Sequence, residues 1–366
     1  MKINILDAGI KERLGHHYDY CLRLARHYSN NGMDVHVFGG AGMDDETRAE
    51  FAKIGKISAL LRARPYQNPR RFDFYGGQIL KHRKQAQIAA EDLGAVDDAD
   101  FWLWPSMEAH EVDACAHRNV RGKIIGCVHS DPGVETQSVD AQLWRTSLVT
   151  AREAKLHLTL SAYENELRHR FALIQPASRF AVIPQPVEGP PRQEPKAKMD
   201  RIGFIGHQRT TKESPLRNVL LKRLVQDGFA ITYQNSAPDV KSPDFEGVDV
   251  LGYVDDLAVP IADCDLVVLP YDVQFYAARG SGILAQCMAL GVPAIAPVGT
   301  LPGRTIERHG IGPLSIGNGD AAIYQAIKIA ARHYATFSAN AHRTAQQFCK
   351  HNGIAKCADA YLAAAK

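Results

Sequence analysis

Paired cysteines, long apolar runs and a strong excess of one charge are all missing from this sequence, and each absence removes a class of protein. The seven cysteines (Cys21, Cys115, Cys127, Cys264, Cys287, Cys349 and Cys357) are scattered, odd in number and without a Cys-x-x-Cys pair. That argues against a disulfide framework or a structural zinc site and fits a reducing cytosol. The longest apolar runs, such as Leu266–Leu269, fall far short of the roughly 20 residues that span a bilayer. Lys and Arg number 43 against 40 Asp and Glu, a net charge of +3, which by itself does not point to nucleic acid. The opening MKINILD enters a strand-like alternation without a basic start, apolar core and small-residue cleavage site, so a secretory leader is not expected. What is present is ordinary: 366 residues, 45% apolar and 23% charged, the composition of a globular chain long enough for two domains with separate cores.

The chain alternates strand and helix patterns twice. Met1–Asp7 reads as a strand, His16–Tyr28 carries apolar residues at helical spacing, Asn31-Gly32 ends that helix, and Val35–Phe38 reads as a second strand before Gly39-Gly40. This is a βαβ unit, which implies a parallel sheet. Phe101–Trp104, Lys123–Val128, Leu156–Ser161 and Arg179–Pro184 look like further strands, Trp102 and Trp104 like core residues, and Ala162–Phe171 like a helix. Glu188–Asp200, with three prolines and many charges, reads as an interdomain linker. The rhythm then restarts: a strand at Arg201–Ile205, a helix at Ser214–Asp227, and strands at Ala230–Tyr233, Val248–Tyr253, Asp265–Leu269 and Val292–Ala296. The expected architecture is α/β, with two Rossmann-like doubly wound domains facing each other across a cleft: residues 1–187, a linker at 188–200, and residues 201–349. Ligands of such sheets bind outside the carboxyl ends of the strands.

Two loops of the second half could hold a phosphorylated ligand. Arg279-Gly-Ser-Gly282 opens a helix that Gly291-Val-Pro293 ends. Its free main-chain N–H groups and dipole attract anions, Gly280 and Gly282 permit close approach, and Ser281 and Arg279 add donors. Gly206–Lys212 (GHQRTTK) offers Arg209 and Lys212 at the end of the strand 201–205. It is not a P-loop, for no GxxxxGK[ST] occurs. Gly39-Gly-Ala-Gly42 lacks the GxGxxG spacing and no clear helix follows it, so a dinucleotide fingerprint is not read there. Leu61–Lys84 holds seven Lys/Arg and one acid, Asp73, with Tyr66, Phe72, Phe74 and Tyr75 interleaved. It reads as a solvated insertion or as a patch for an acceptor or a membrane surface.

Several pieces together carry a resemblance. The second half has FIGHQRTTK, GYVDDL at 252–257, ADCDLVVLPY at 262–271 and AQCMALGVPAIA at 285–296. The first half has LGHHYDYCLRLARHY at 14–28, CVHSD at 127–131 and LTLSAYENELRHRF with FAVIPQPVE over 158–188. In this order they resemble the GT-B glycosyltransferases, especially the retaining family-4 type. The resemblance implies an acceptor-binding first domain, a nucleotide-sugar-binding second domain, and a C-terminal helix, about 350–366, that packs back on the first.

It further implies transfer of a sugar from a nucleoside-diphosphate sugar, the co-substrate, to an acceptor hydroxyl on a glycan, a lipid-linked glycan or a small molecule, as in polysaccharide biosynthesis. Gly15 and His16 would lie at the donor phosphate, His129 would reach the transferred sugar, Arg209 and Lys212 would grip the diphosphate beside Gly206, Gly280–Gly282 would hold the distal phosphate, and Gln286 would face the ribose. The family places two acids eight positions apart where this chain has Ala278 and Gln286, so the sugar contact falls to Asp272, Tyr276 or Arg279. The cations replace a metal, and the leaving phosphate takes the acceptor's proton with retention; an inverting enzyme would need a base, for which Asp131 and His16 are the candidates. His17 reads as a packing or capping residue. No further cofactor and no nucleic-acid partner are expected, and the protein is expected in the cytoplasm, with peripheral contact to the inner face of the membrane through 61–84. A sugar-nucleotide epimerase and a non-catalytic GT-B-fold binding protein are the alternatives.

Overall fold

A computed structural model describes residues 1–13, 15–63, 75–133, 138–206, 217–235, 242–254 and 256–365, with main chain alone at 15, 16, 75 and 76. It divides into two compact units, Met1–Pro184 with Ile354–Lys366, and Gln185–Gly353. In the first, β1 (Lys2–Asp7), α1 (Gly15–Asn30), β2 (Asp34–Gly40), α2 (Asp45–Ala52), β3 (Lys56–Leu61), α3 (Tyr75–Leu93), β4 (Phe101–Trp104), α4 (Ala109–His117), β5 (Lys123–Cys127), α5 (Val139–Glu153), β6 (His157–Ala162), α6 (Asn165–Ile174) and β7 (Arg179–Val182) follow one another. The second holds β8 (Arg201–Phe204), α7 (Arg217–Gln226), β9 (Ala230–Gln234), β10 (Val248–Leu251), α8 (Ala258–Asp263), β11 (Leu266–Val268), α9 (Gly282–Leu290), β12 (Ala294–Pro297), α10 (Leu301–His309), β13 (Leu314–Ser315), α11 (Asp320–Arg332) and α12 (Tyr334–His351). The last helix, α13 (Ile354–Ala364), belongs to the first unit.

Among the described residues both sheets are parallel throughout, in the orders β3-β2-β1-β4-β5-β6-β7 and β10-β9-β8-β11-β12-β13. Parallel strands are covered on both faces, so their apolar residues run on rather than alternate: FWLW of β4 and AIAP of β12 are wholly buried. In each sheet the strand order reverses once, between β1 and β4 and between β8 and β11. Such a switch point leaves a crevice at the strand carboxyl ends of that sheet, because the chain departs to opposite sides.

Several elements differ from the sequence reading. Gly39–Gly42 is followed by a helix, α2, capped by Asp44, whose carboxylate accepts the Thr47 N–H. Only Thr47 and Phe51 of α2 are buried, which is why no apolar periodicity announces it. The basic-aromatic stretch 61–84 begins on the last residue of β3 and ends within α3; residues 64–74 lie outside the described residues.

The segment 188–200, expected as a linker, lies fastened to the second unit. The Arg192 guanidinium donates to the carbonyls of Ala262 and Cys264, and Lys196 pairs with Asp265 at 2.5 Å. Asp265 also accepts the N–H groups of Asp200 and Arg201 at 2.8 Å each. Burial would raise its pKa, but Lys196 and these two N–H groups outweigh burial and hold it below the usual carboxylate range. Hydrogen bonds fasten most of this segment, with Met199 its one buried core residue, so no apolar periodicity marks it.

Helix α13 packs against α1. Tyr20 Oη donates to Tyr361 Oη at 2.8 Å, Tyr28 Oη donates to the Ala358 carbonyl at 3.0 Å, and Tyr361 is fully buried with Cys357 and Ala358. All three tryptophans, Trp102, Trp104 and Trp144, lie in the first unit, so their fluorescence reports that unit. Tyr361→Ala is expected to destabilise the tryptophan-reported denaturant transition by about 3–5 kcal/mol, as truncation of a buried aromatic does. A loss below about 1 kcal/mol would contradict the placement of α13 in this core.

Candidate functional site

The switch point of the second sheet lies between β8 and β11. From β8 the chain passes through Ile205 to Gly206, whose φ of 107° falls in the region that favours glycine. The Gly206 N–H donates to the buried Gln234 Oε1 at 2.8 Å. Arg209 and Lys212, which follow, lie outside the described residues.

From β11 the chain forms a tightly held loop before α9. Asp272 Oδ1 accepts the Phe275 N–H at 2.8 Å and its carbonyl accepts the Tyr276 N–H at 3.0 Å, so Asp272 serves as a turn residue. Tyr276 stacks on buried Tyr271 with ring centroids 3.8 Å apart and planes 4° from parallel. Tyr271 Oη lies 2.8 Å from Ser281 Oγ, and burial pushes this phenol well above its ordinary range, keeping it protonated. The Arg304 guanidinium donates to the carbonyls of Ala277 at 2.7 Å and Gly299 at 3.1 Å. Arg279 lies with its guanidinium 4.7 Å from the Phe275 ring centroid and 6.0 Å from that of Tyr276. Protein contacts thus shape the loop in advance of any ligand.

Helix α9 begins where the loop ends. Ser281 is its N-cap and accepts the Leu284 N–H at 3.1 Å; Gly291, at φ 74°, is its C-cap. A side chain on Gly282 would meet open space, so packing does not demand glycine there. Six residues of the helix are buried, which fixes its axis and aims its first N–H groups off the carboxyl end of the sheet. Gln286, expected at the ribose, instead bonds the main chain of Glu188: its Oε1 accepts the Glu188 N–H at 3.4 Å and its Nε2 donates to the Glu188 carbonyl. Ala278 is buried and offers nothing polar.

The first sheet reverses between β1 and β4. Gly15 and His16 open α1, and the His16 side chain lies outside what is described. The group that sequence reasoning missed is Asp7 with His17. Asp7 closes β1 with 2% exposure; its Oδ1 accepts the Gly9 N–H at 2.8 Å and its Oδ2 lies 2.8 Å from His17 Nδ1. A Cβ on Gly9 would fall 2.4 Å from the His17 ring, so glycine is needed for the close approach. Burial alone would lower the His17 pKa, but the charge and hydrogen bond of Asp7 prevail and raise it. The available signal was an acid ending a strand, followed ten residues on by a histidine at a helix start. His129, just after β5, is half-buried and its Nε2 lies 2.7 Å from the Pro105 carbonyl beyond β4. Since a carbonyl only accepts, Nε2 carries the proton. Asp131 Oδ1 accepts the Gly133 N–H at 2.9 Å, and its Oδ2 lies 3.8 Å from Arg170 Nε.

Among the described residues no group of three or more His, Cys, Asp or Glu is placed to hold a metal ion, and no helix is long and apolar enough to cross a membrane.

No family profile and no curated protein matches this sequence. Solved structures do match over the whole chain. HepE of Anabaena, in complex with UDP-glucose, has a TM-score of 0.65 at 14% identity, covering 99% of this chain and 98% of its own. The glycotransferase of kitacinnamycin has 0.64 at 14%, covering 100% and 99%. The glycosyltransferase VinC, in complex with dTDP, has 0.58 at 11%, covering 100% and 99%. At such identities the likeness establishes the fold: two Rossmann-type parallel sheets of the GT-B class.

The Asp7–His17 pair carries a pH signature. Because the folded-state pKa of His17 is raised, the pair's stabilisation is fully present below the ordinary histidine value of 6.5 and is lost as pH rises through the raised value. His17→Leu is therefore expected to cost the first unit about 1.5–3 kcal/mol near pH 6 and less near pH 9. Denaturant unfolding at both pH values, followed by tryptophan fluorescence, checks this; a pH-independent difference would contradict the ion pair.

Proposed function

We propose that this chain is a glycosyltransferase that moves a sugar from a nucleoside-diphosphate sugar to an acceptor hydroxyl. The observation that carries the reading is the second switch point, where the chain leaves β8 at Gly206 and the preshaped amino end of α9 follows the adjacent strand β11. That place matches the chemistry of the reaction. As the glycosidic bond breaks, charge grows on the diphosphate, and fixed N–H dipoles and cations stabilise it without reorganising. In this reading Arg209 and Lys212 grip the diphosphate beside Gly206, the N–H groups at Gly280–Gly282 and the Ser281 hydroxyl take its distal phosphate, and Arg279 and Tyr276 lie toward the sugar. Gly15 faces the donor phosphate and His129 the transferred sugar. The similarity to a structure bound to UDP-glucose and to one bound to dTDP supports a nucleotide-linked donor.

Retention follows if the leaving phosphate takes the acceptor's proton, and the cations then need no metal beside them. A second reading rests on Asp7 and His17. A carboxylate on Nδ1 holds the proton on that nitrogen, so that the neutral ring presents Nε2 as the acceptor, the arrangement of a general base, and such a base would give inversion. The acceptor in either reading is a glycan, a lipid-linked glycan or a small hydroxyl compound, reached at the cytoplasmic face of the membrane when the stretch 61–84 docks there.

Arg209→Ala and Lys212→Ala are each expected to lower turnover roughly a hundredfold or more. Near-normal turnover in both would remove the diphosphate assignment. The anomeric configuration of the product, read by NMR, separates the two proton routes: retention fits proton transfer to the phosphate, inversion requires a protein base, and loss of turnover in His17→Ala would then assign that base to His17 rather than to His16 or Asp131.

A further inference from the structure

At the carboxyl ends of β5 and β6 lies a polar cluster that the chemistry proposed above does not use. Tyr20 of α1, Cys357 and Tyr361 of α13, and Cys127 at the end of β5 are all buried, and Tyr163, just after β6, is half-buried. Tyr20 Oη donates to Tyr361 Oη at 2.8 Å, across 341 residues of sequence, and lies 3.1 Å from Cys357 Sγ. With the Tyr20 proton committed to Tyr361, the Cys357 thiol is the donor to Tyr20. Burial pushes the Tyr20, Tyr163 and Tyr361 phenols well above their ordinary range and the Cys127 and Cys357 thiols up to about 12, so every member keeps its proton. Hydrogen bonds from Tyr361 and Tyr163 partly offset burial at Cys127, and those from Tyr20 and Tyr361 partly offset it at Tyr163.

Such a cluster fixes geometry more than it adds stability. Hydroxyls that bond each other and are replaced together by apolar groups of the same shape leave stability nearly unchanged. A buried network in which each member bonds the next, by contrast, specifies one arrangement. The member that reaches the rim is Tyr163. Its ring packs against that of Tyr20, with centroids 6.3 Å apart and planes at 70°, and against that of His129, with centroids 5.8 Å apart and planes at 41°. His129 gives its Nε2–H to the Pro105 carbonyl at 2.7 Å. That one bond fixes an atom of the imidazole but does not set the tilt of the ring about it, whereas a neighbouring aromatic ring does.

We propose that Tyr163, Tyr361 and Tyr20 are positioning residues for His129, so that the last helix of the chain sets the tilt of a histidine at the carboxyl rim of the first sheet. Two phenols, one on α1 and one on α13, hold Tyr163, and Tyr163 holds the imidazole. A histidine turned in advance toward the reacting group has little ordering left to do when substrate arrives. The inference rests on the reading of His129 at the transferred sugar.

The test uses the full chain with Tyr20→Phe and Tyr361→Phe together, which removes the bonded hydroxyls and keeps both rings. The first readout is the pair of imidazole NMR signals of His129, identified in isotope-labelled protein by their loss in His129→Gln. The second is release of nucleoside diphosphate from whichever of UDP-, GDP- and ADP-linked glucose the wild type turns over. The expected result is a tryptophan-reported unfolding midpoint close to wild type, His129 signals shifted or broadened, and kcat lowered about tenfold or more with KM for the donor little changed. Tyr28→Phe is the control, because Tyr28 also bonds α13 but ends on the Ala358 carbonyl rather than in the cluster; it is expected to leave both readouts at wild type. Wild-type His129 signals in the double variant would overturn the positioning role, and so would equal shifts in Tyr28→Phe, which mark a general loosening. Shifted signals with undiminished turnover, in the double variant and in His129→Gln alike, would support the positioning role and overturn the reading of His129 at the sugar. If the wild type turns over none of the three donors, the signals alone decide. Should the double variant not fold, Tyr361→Phe decides on the same signals: unchanged, they overturn the role, and shifted, they support it.

Discussion

A parallel sheet cannot be closed by tight turns, and most of this molecule follows from that constraint. Each strand must be reached by a return crossing, here usually a helix, so all strand carboxyl ends of one sheet share a rim and all helix amino ends lie toward it. Reversing the strand order once opens that rim at a single place. In the second unit the place falls between β8 and β11, where the chain leaves one strand through Gly206 and the other through the loop that Tyr271, Asp272 and Arg304 hold in shape. In the first unit it falls between β1 and β4, where Asp7 and His17 meet.

The chemistry offered at the two rims differs. Among the described residues the second offers donors: the first N–H groups of α9 and Arg279 resting on aromatic faces. The acid on this loop, Asp272, spends an oxygen on the Phe275 N–H, and the amide of Gln286 is spent on Glu188. A surface rich in donors and poor in acceptors suits an acceptor-only group such as a diphosphate. The first rim offers a histidine whose pKa is raised by a buried carboxylate, so that it holds a proton more firmly than an isolated imidazole.

Much of the fold was legible because its punctuation is strong. Asn31-Gly32 and Gly291-Val-Pro293 end helices with glycines at φ 74°, and Ser281 caps α9 as a serine before an apolar run should. The buried strands announced themselves as short apolar runs. Elements that bury little did not: β3 shows only Leu61 buried, and α2 only Thr47 and Phe51. At the candidate sites, loop positions could be read but partners could not. Asp272 as a turn residue is a local matter of three positions, whereas Gln286 with Glu188 is a pairing 98 residues apart. Asp7 and His17 are near in sequence, yet their contact depends on Gly9 allowing the ring to approach.

The central claim is that the carboxyl rim of the second sheet, at α9 and the basic loop after β8, binds the diphosphate of a nucleotide-linked sugar. The most direct measurement is a crystal structure of the chain grown with a nucleoside-diphosphate sugar. The account predicts phosphate oxygens within hydrogen-bond distance of the first N–H groups of α9, with Arg209 and Lys212 turned toward them. A ligand bound away from that rim, or phosphates there with neither cation in contact, would contradict it.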